Sequence, residues 1–169
     1  DFWSWAYSDI LNNRNRSVFA EFLVGAALEI ITTPRIEWDA IDLLYHGKKI
    51  EVKCSGYIQS WHQTNISQII FNIAKKRSWH ADTNTIDDEA TRAADCYVFC
   101  IFSETYPNKT NVLNLEKWQF HVVSTAQIER ELGDQKTIGI KRLQVMCDSV
   151  SYKDLRECID SVLEASNSK

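Results

Sequence analysis

A chain of 169 residues, 44% hydrophobic and 25% charged, with two Pro and five Gly, has the make-up of one globular domain rather than a linker or a disordered tail. A net charge of −4 does not suit a tight, non-specific DNA binder that relies on overall positive charge. No apolar run approaches the ~20 residues of a membrane span, and the start Asp1-Phe2-Trp3-Ser4-Trp5 lacks the basic region and apolar core of a secretory signal.

From the N-terminus, Val18 to Ile31 is apolar nearly all round, which predicts a helix over 14–31 buried on most faces. Asn12, Asn13 and Asn15 supply N-caps ahead of it. The only charged residues from Val18 on are Glu21 and Glu29. Glu21 has Val24 and Gly25 at i+3 and i+4, so no local ion pair explains it. A carboxylate in such a helix needs a metal or a distant Arg, unless it reaches out at an edge.

The stretch Trp38-Asp39-Ala40-Ile41-Asp42-Leu43-Leu44-Tyr45-His46-Gly47-Lys48-Lys49-Ile50-Glu51-Val52-Lys53 reads as a β-hairpin. Ile41 to Tyr45 and Lys49 to Lys53 are strand-like, and His46-Gly47 is a two-residue turn. That turn pairs Tyr45 with Lys48, Leu44 with Lys49, Leu43 with Ile50, and Asp42 with Glu51. Opposed residues share a face, and Lys53 follows Glu51 by one pleat repeat. Asp42, Glu51 and Lys53 therefore converge, while Ile41, Leu43, Ile50 and Val52 point the other way. Asp39 is out of phase with Asp42 and is not expected at the site. Two adjacent carboxylates repel, and one should be pushed towards protonation unless a cation binds. Mg²⁺ suits such a pair, since it takes one or two carboxylates, waters and phosphate oxygens. A nearby Lys can orient the attacking water or offset phosphate charge. The bland alternative is an exposed hairpin with an ordinary charge cluster.

Further along, Gln68 to Ile73 is strand-like, and Lys75-Lys76-Arg77 is the densest basic patch, with Lys48-Lys49, Arg14 and Arg16 as others. Each patch serves as a solvated face or as a phosphate contact. Residues 84–93 read as a surface loop or short helix. Cys96 to Phe102 reads as a central strand covered on both sides, and residues 104–114 as a loop around Pro107-Asn108. Trp118 to Val123 is β-prone. Ser124-Thr125-Ala126-Gln127 opens a helix ending near Gly133. Thr137 to Met146 is ambiguous between strand and helix. Ser151 to Asp154 opens a last helix with Leu155, Ile159, Val162 and Leu163 inward.

Five cysteines (Cys54, Cys96, Cys100, Cys147, Cys158), odd in number and without Cys-x-x-Cys, read as reduced buried thiols of a cytoplasmic protein. His46, His62, His80 and His121 are scattered and expected in structural or surface roles. Of six Trp, Trp38, Trp61 and Trp79 fall near the site in sequence. Core or groove-wall positions are expected for them, with stacking on unpaired bases as the alternative if exposed.

A helix carrying Glu21, then Asp42, then Glu51-Val52-Lys53 on the next strand resembles the PD-(D/E)xK, restriction-endonuclease-like nuclease superfamily. The resemblance covers residues 14–55, extends to the strand at Cys96 to Phe102, and includes Ser55 to Gln63, which is similar to uncharacterised bacterial members. Ile41 stands where many members have Pro. The resemblance implies an α/β fold with a mixed central β-sheet flanked by helices, and a helix between the Glu-x-Lys strand and the last core strand, where this sequence shows instead a strand-like run and a polar stretch. It implies Mg²⁺, with Mn²⁺ as substitute, held by Asp42, Glu51 and the backbone carbonyl of Val52, with Glu21 as an extra ligand. Lys53 would assist the attacking water. Ser55 and Gln59 would be supporting or substrate contacts, Gln59 and Gln63 both standing where some members place a Gln. The expected function is a Mg²⁺-dependent deoxyribonuclease, an endonuclease or an exonuclease, of one domain over 1–169, the missing initial Met suggesting a trimmed chain or a fragment of a longer protein. DNA is the expected partner ahead of RNA, with no membrane, and a homodimer is compatible. The alternative is a catalytically inactive nucleic-acid-binding or assembly domain on the same fold.

Overall fold

The computed structural model describes residues 1–35, 41–77, 79–80 and 83–167. In chain order the elements are α1 (Phe2–Tyr7), α2 (Asn13–Ala27), β1 (Leu43–Tyr45), β2 (Lys48–Gly56), β3 (Ile70–Asn72), β4 (Trp79–His80), β5 (Thr85–Ile86), β6 (Cys96–Phe102), β7 (Trp118–Ser124), α3 (Thr125–Leu132), β8 (Thr137–Gly139), α4 (Ile140–Met146) and α5 (Leu155–Asn167).

A four-stranded mixed sheet ordered β1-β2-β6-β7 forms the centre. β1 runs antiparallel to β2, β2 parallel to β6, and β6 antiparallel to β7. Every residue of β6 is buried, as its unbroken apolar run requires of a strand covered on both faces. On one face Ile50, Val52, Val98, Phe102, Phe120 and Val122 pack with α2 and α5 through Leu23, Val24, Leu155 and Ile159. On the other, Tyr97, Phe99, Ile101 and Val123 pack with Phe71 and Ile138 of the β3–β8 ribbon and with Ile128 and Leu143 of α3 and α4. The fold is thus mixed α/β with helices on both sides of the sheet. No helix among the described residues is long and apolar enough to cross a membrane.

Local signals placed several ends well. Asn12 accepts a hydrogen bond from the Arg14 N–H at the start of α2. Ser124 accepts from the Gln127 N–H at the start of α3, and Gly133 ends it at φ 53°. The ambiguous 137–146 stretch resolves into both states, β8 and then α4.

Other expectations need correction. The buried helix ends at Ala27, not Ile31, and Glu29 lies beyond it at φ 60°. It is covered on one face only: Ala20, Leu23 and Val24 are buried, whereas Val18 and Phe22 are exposed. Its apolar outer face lines a cleft instead of core. Residues 84–93 contribute strand β5, not a helix. Trp61 and Trp79 are exposed, as are Trp3 and Trp5 of α1; Trp118 is a core tryptophan. Trp38 and Asp39 lie outside the described residues. Between β2 and β6 the described residues contain only β3, β4 and β5, with no helix. A parallel pair is most often bridged through a helix; here the return path is loop and short ribbon.

Candidate active site

The site starts at the hairpin turn. His46 and Gly47 both have positive φ, 48° and 77°, the mark of a type I′ turn whose twist matches the strands it joins. Histidine tolerates this conformation better than most side chains. The turn sets the pairs Tyr45↔Lys48, Leu44↔Lys49 and Leu43↔Ile50. One step further along this register would set Asp42 opposite Glu51, but the expected strand from Ile41 is shortened and begins at Leu43.

Asp42 lies in a bend just before β1, so it is not part of the ladder. Its Oδ2 instead accepts a hydrogen bond from the Val52 N–H at 2.7 Å. The carboxylate thus takes the place of the next strand residue at the β2 edge. The N–H and C=O of one strand residue point to the same side, so the Val52 carbonyl faces the Asp42 edge too.

Burial is the largest influence on Asp42 and the Glu51 charge the second; together they push its pKa up to about 6. The Val52 N–H and the Lys53 ammonium pull the other way, and Glu21 adds to the rise. Asp42 is therefore the carboxylate that gives way, as two adjacent acids require, with desolvation outweighing repulsion. Glu51 and Lys53 sit on the face of β2 away from α2, Glu51 beside Tyr97 of β6. Burial and then the Glu51 charge raise the Tyr97 hydroxyl to about 12, so it stays protonated.

The Glu51 side chain is 16% exposed and is met by two ammonium groups. Lys53 Nζ lies 2.5 Å from Oε1, and Lys76 Nζ lies 3.7 Å from the same oxygen. Glu21, on α2, is gripped by Arg35 through both oxygens: Nη2 meets Oε1 at 3.0 Å, and Nε meets Oε2. Glu21 is close enough for Asp42 to feel its charge, yet its immediate partner is the distant arginine. Glu21, Arg35 and Asp42 line a cleft of about 690 Å³ whose other walls include Val18, Phe22, Pro34 and Leu44.

Ser55 follows Lys53 on the same face of β2 and is half-buried. Gln59 lies elsewhere. Its amide nitrogen donates to the Gly56 carbonyl and to Ser67 Oγ, and its Oε1 accepts from Arg16. Gln63 joins the same network by accepting from the Gln59 N–H. These bonds tie the loop after β2 to α2, and they consume the polar atoms that a substrate contact would use.

Sequence reasoning allowed Glu21 a distant Arg without singling out Arg35, and it missed Lys76 as a member of the Glu51 cluster. Lys76 was visible only as part of a basic run; no local pattern marks Arg35.

Among the described residues, no group of three or more His, Cys, Asp or Glu is disposed to hold a metal ion. The smaller set of Asp42, Glu51 and the Val52 carbonyl consists of hard oxygen donors, the kind of which a hydrated Mg²⁺-type ion takes one or two from a protein, although Glu51 Oε1 already meets Lys53 and Lys76. No protein-family model, curated protein or solved structure matches this chain.

Proposed function

We propose that this protein is a divalent-metal-dependent nuclease that hydrolyses DNA phosphodiester bonds. The observation that carries the reading is the half-buried Asp42 carboxylate, held at the strand edge by the Val52 N–H and raised by burial and the Glu51 charge despite Lys53. Asp42, Glu51 and the Val52 carbonyl would hold the ion; Glu21, on α2 and gripped by Arg35, would act only through its charge on Asp42. The ion, Mg²⁺ or Mn²⁺, would supply Lewis acidity at the phosphate and acidify a water. The chain's own residues do the positioning. The Val52 N–H fixes the Asp42 carboxylate at the strand edge. Lys53, only 19% exposed, is held against Glu51, where its ammonium can orient the attacking water and offset charge developing on the phosphate. Arg35 steadies Glu21 at the cleft wall. Membership of the PD-(D/E)xK superfamily belongs to this reading. The mixed sheet flanked by helices is in keeping with it, and the path from β2 to β6, with no helix among its described residues, is the departure.

A specific observation favours a second reading, a non-catalytic nucleic-acid-binding or assembly domain. Glu51 is engaged by Lys53 and Lys76, and Glu21 by Arg35, so two of the acids already have cations beside them. One experiment separates the two. The protein is incubated with linear, circular, single-stranded and branched DNA, and with RNA, in Mg²⁺ or Mn²⁺. A nuclease gives metal-dependent cleavage that is lost in Lys53→Ala. A binding module gives affinity insensitive to that change and to EDTA, with no cleavage of any substrate.

A further inference from the structure

The four aromatic residues of α1 belong to neither face of the core. We infer that α1, together with Trp61, is a self-association surface through which two copies of this chain pair about a two-fold axis. The pairing uses none of the residues of the proposed metal site and does not depend on the nuclease reading.

Phe2, Trp3, Trp5 and Tyr7 are all exposed, Trp3 by 73% and Trp5 by 84%, and no residue of α1 is buried. Three of the rings meet one another instead: the Trp3 ring centre lies 5.1 Å from that of Phe2 and 5.6 Å from that of Tyr7. The turn after α1 is fastened to α2. The Asp9 carbonyl accepts from Asn15 Nδ2 at 3.0 Å, and the Leu11 carbonyl accepts from Arg16 Nη1 at 3.2 Å. The same Arg16 nitrogen donates to the Ile58 carbonyl at 3.0 Å, which ties the loop after β2 to this end of the molecule. That loop is braced by the bond from the Gln59 N–H to Gln63, and it holds Trp61 out in water. Two separately anchored segments thus present aromatic rings to solvent at one end of the fold.

Area and charge together name the occupant. At about 150–250 Å² for each aromatic side chain, these exposures leave roughly 600 Å² of ring surface in water on each copy. That is the upper end of what a lone soluble domain shows as its largest apolar patch. Laid on its own copy, the patch removes roughly 1,200 Å² in all, which reaches the size of a stable specific interface before the atoms around the rings are counted. A two-fold axis sets the same patch against itself. Residues 1–12 contain no Lys or Arg and carry Asp1 and Asp9. The α1 surface therefore lacks the cations that track a nucleic-acid backbone or an anionic lipid, whereas an aromatic centre poor in charge is the composition of a protein–protein interface.

Sedimentation velocity of the whole chain over about 1–100 μM tests the pairing. The wild type should pass from monomer to dimer within or below that range, and its Tm should rise with protein concentration. Trp3→Glu/Trp5→Glu should raise the dimer Kd about a hundredfold or more and abolish the concentration dependence of Tm. Its far-UV circular dichroism should match that of the wild-type monomer, because α1 buries no residue. Val145→Glu, at a comparably exposed apolar residue of α4, should leave the dimer Kd unchanged. A wild type that stays monomeric at every concentration overturns the inference. If the tryptophan fluorescence of that monomer is quenched by oligothymidylate or shifted by phosphatidylcholine vesicles, the patch belongs to unpaired bases or to a lipid surface instead. A dimer that survives Trp3→Glu/Trp5→Glu places the interface elsewhere, and a double variant that no longer folds assigns α1 to the core; either result overturns the inference as well.

Discussion

Two clusters of charge built from comparable residues behave in opposite ways. In one, Arg92, with its side chain fully covered, pairs with Glu129 at 2.6 Å and donates to the carbonyls of Ile73 and Gln135. Lys75 adds a bridge from Glu129 to Asp134. Burial would raise Glu129, but Arg92 and Lys75 outweigh it and hold its pKa below the usual range; Lys75 does the same for Asp134. In the other cluster Asp42 is pushed up to about 6 beside Glu51, despite Lys53. The first cluster is electrostatically complete and joins the 73–75 segment to α3 and the chain that follows it. In the second, burial and the Glu51 charge outweigh the Val52 N–H and the Lys53 ammonium at Asp42. The carboxylates held low are held by their cationic partners, as in a structural joint, whereas Asp42 is held high by burial first and the Glu51 charge second.

The largest expected break in this comparison is chemical. Asp42→Asn should lower metal-dependent DNA cleavage on the order of a thousandfold, read from initial rates at saturating Mg²⁺, and should leave the fold intact. If cleavage persists, Asp42 does not hold the ion. The structural cluster should answer in the reverse way. Arg92→Met strips the carbonyls of Ile73 and Gln135 of their donor, and should cost about 3 kcal/mol in urea unfolding. A loss under 1 kcal/mol would show that the joint is not needed.

Metal should stabilise only the Asp42 cluster. At a hundredfold excess over its dissociation constant, Mn²⁺ should add about 2.7 kcal/mol to the wild type and nothing to Asp42→Asn.

The pH dependence sharpens the same contrast. The folded pKa of Asp42 lies above its unfolded value of 3.8, so the folded chain binds the extra proton between pH 3.8 and about 6. Its contribution is most favourable below that window and is lost as pH rises through about 6. Solvent near the half-buried group reduces the effect to ~1–2 kcal/mol. Metal-free Asp42→Asn should therefore match or exceed the wild type above pH 6, since an amide oxygen can still accept the Val52 N–H. Glu129 and Asp134, with lowered pKa values, act in the opposite direction: their stabilisation is present above the normal carboxylate range and is lost on acidification. If metal-free Asp42→Asn unfolds at neutral pH, Asp42 is a structural partner like Glu129 and the contrast collapses.

The smallest effect tests the turn that aims the site. A Cβ at Gly47 meets nothing within 4 Å, so Gly47→Ala is opposed only by the backbone at φ 77°. It should cost about 1 kcal/mol and loosen the Asp42–Val52 contact, seen as faster amide exchange at Val52.

The hairpin was legible in the chain itself. His46-Gly47 admits the positive φ values of a tight turn, and the alternation on either side leaves one register that turns Ile50, Val52 and the half-buried Leu43 to the core together. Asp42 was expected as the next rung opposite Glu51, but β1 begins only at Leu43 and Asp42 lies in the bend before it, meeting the Val52 N–H instead. The central strand and the capped start of α3 were legible for the same reason, because their determinants lie within a few residues. What the tertiary structure decided depends on contacts far apart in sequence. Arg35 returns to Glu21, Lys76 is carried to Glu51 by its bridge to Thr91, and the outer face of α2 lines a cleft rather than core. Periodicity states that a face is apolar but not what covers it, and a lysine in a basic run carries no mark of the carboxylate it will meet. The balance between burial and charge at Asp42 likewise exists only once the sheet and its helices have closed around it.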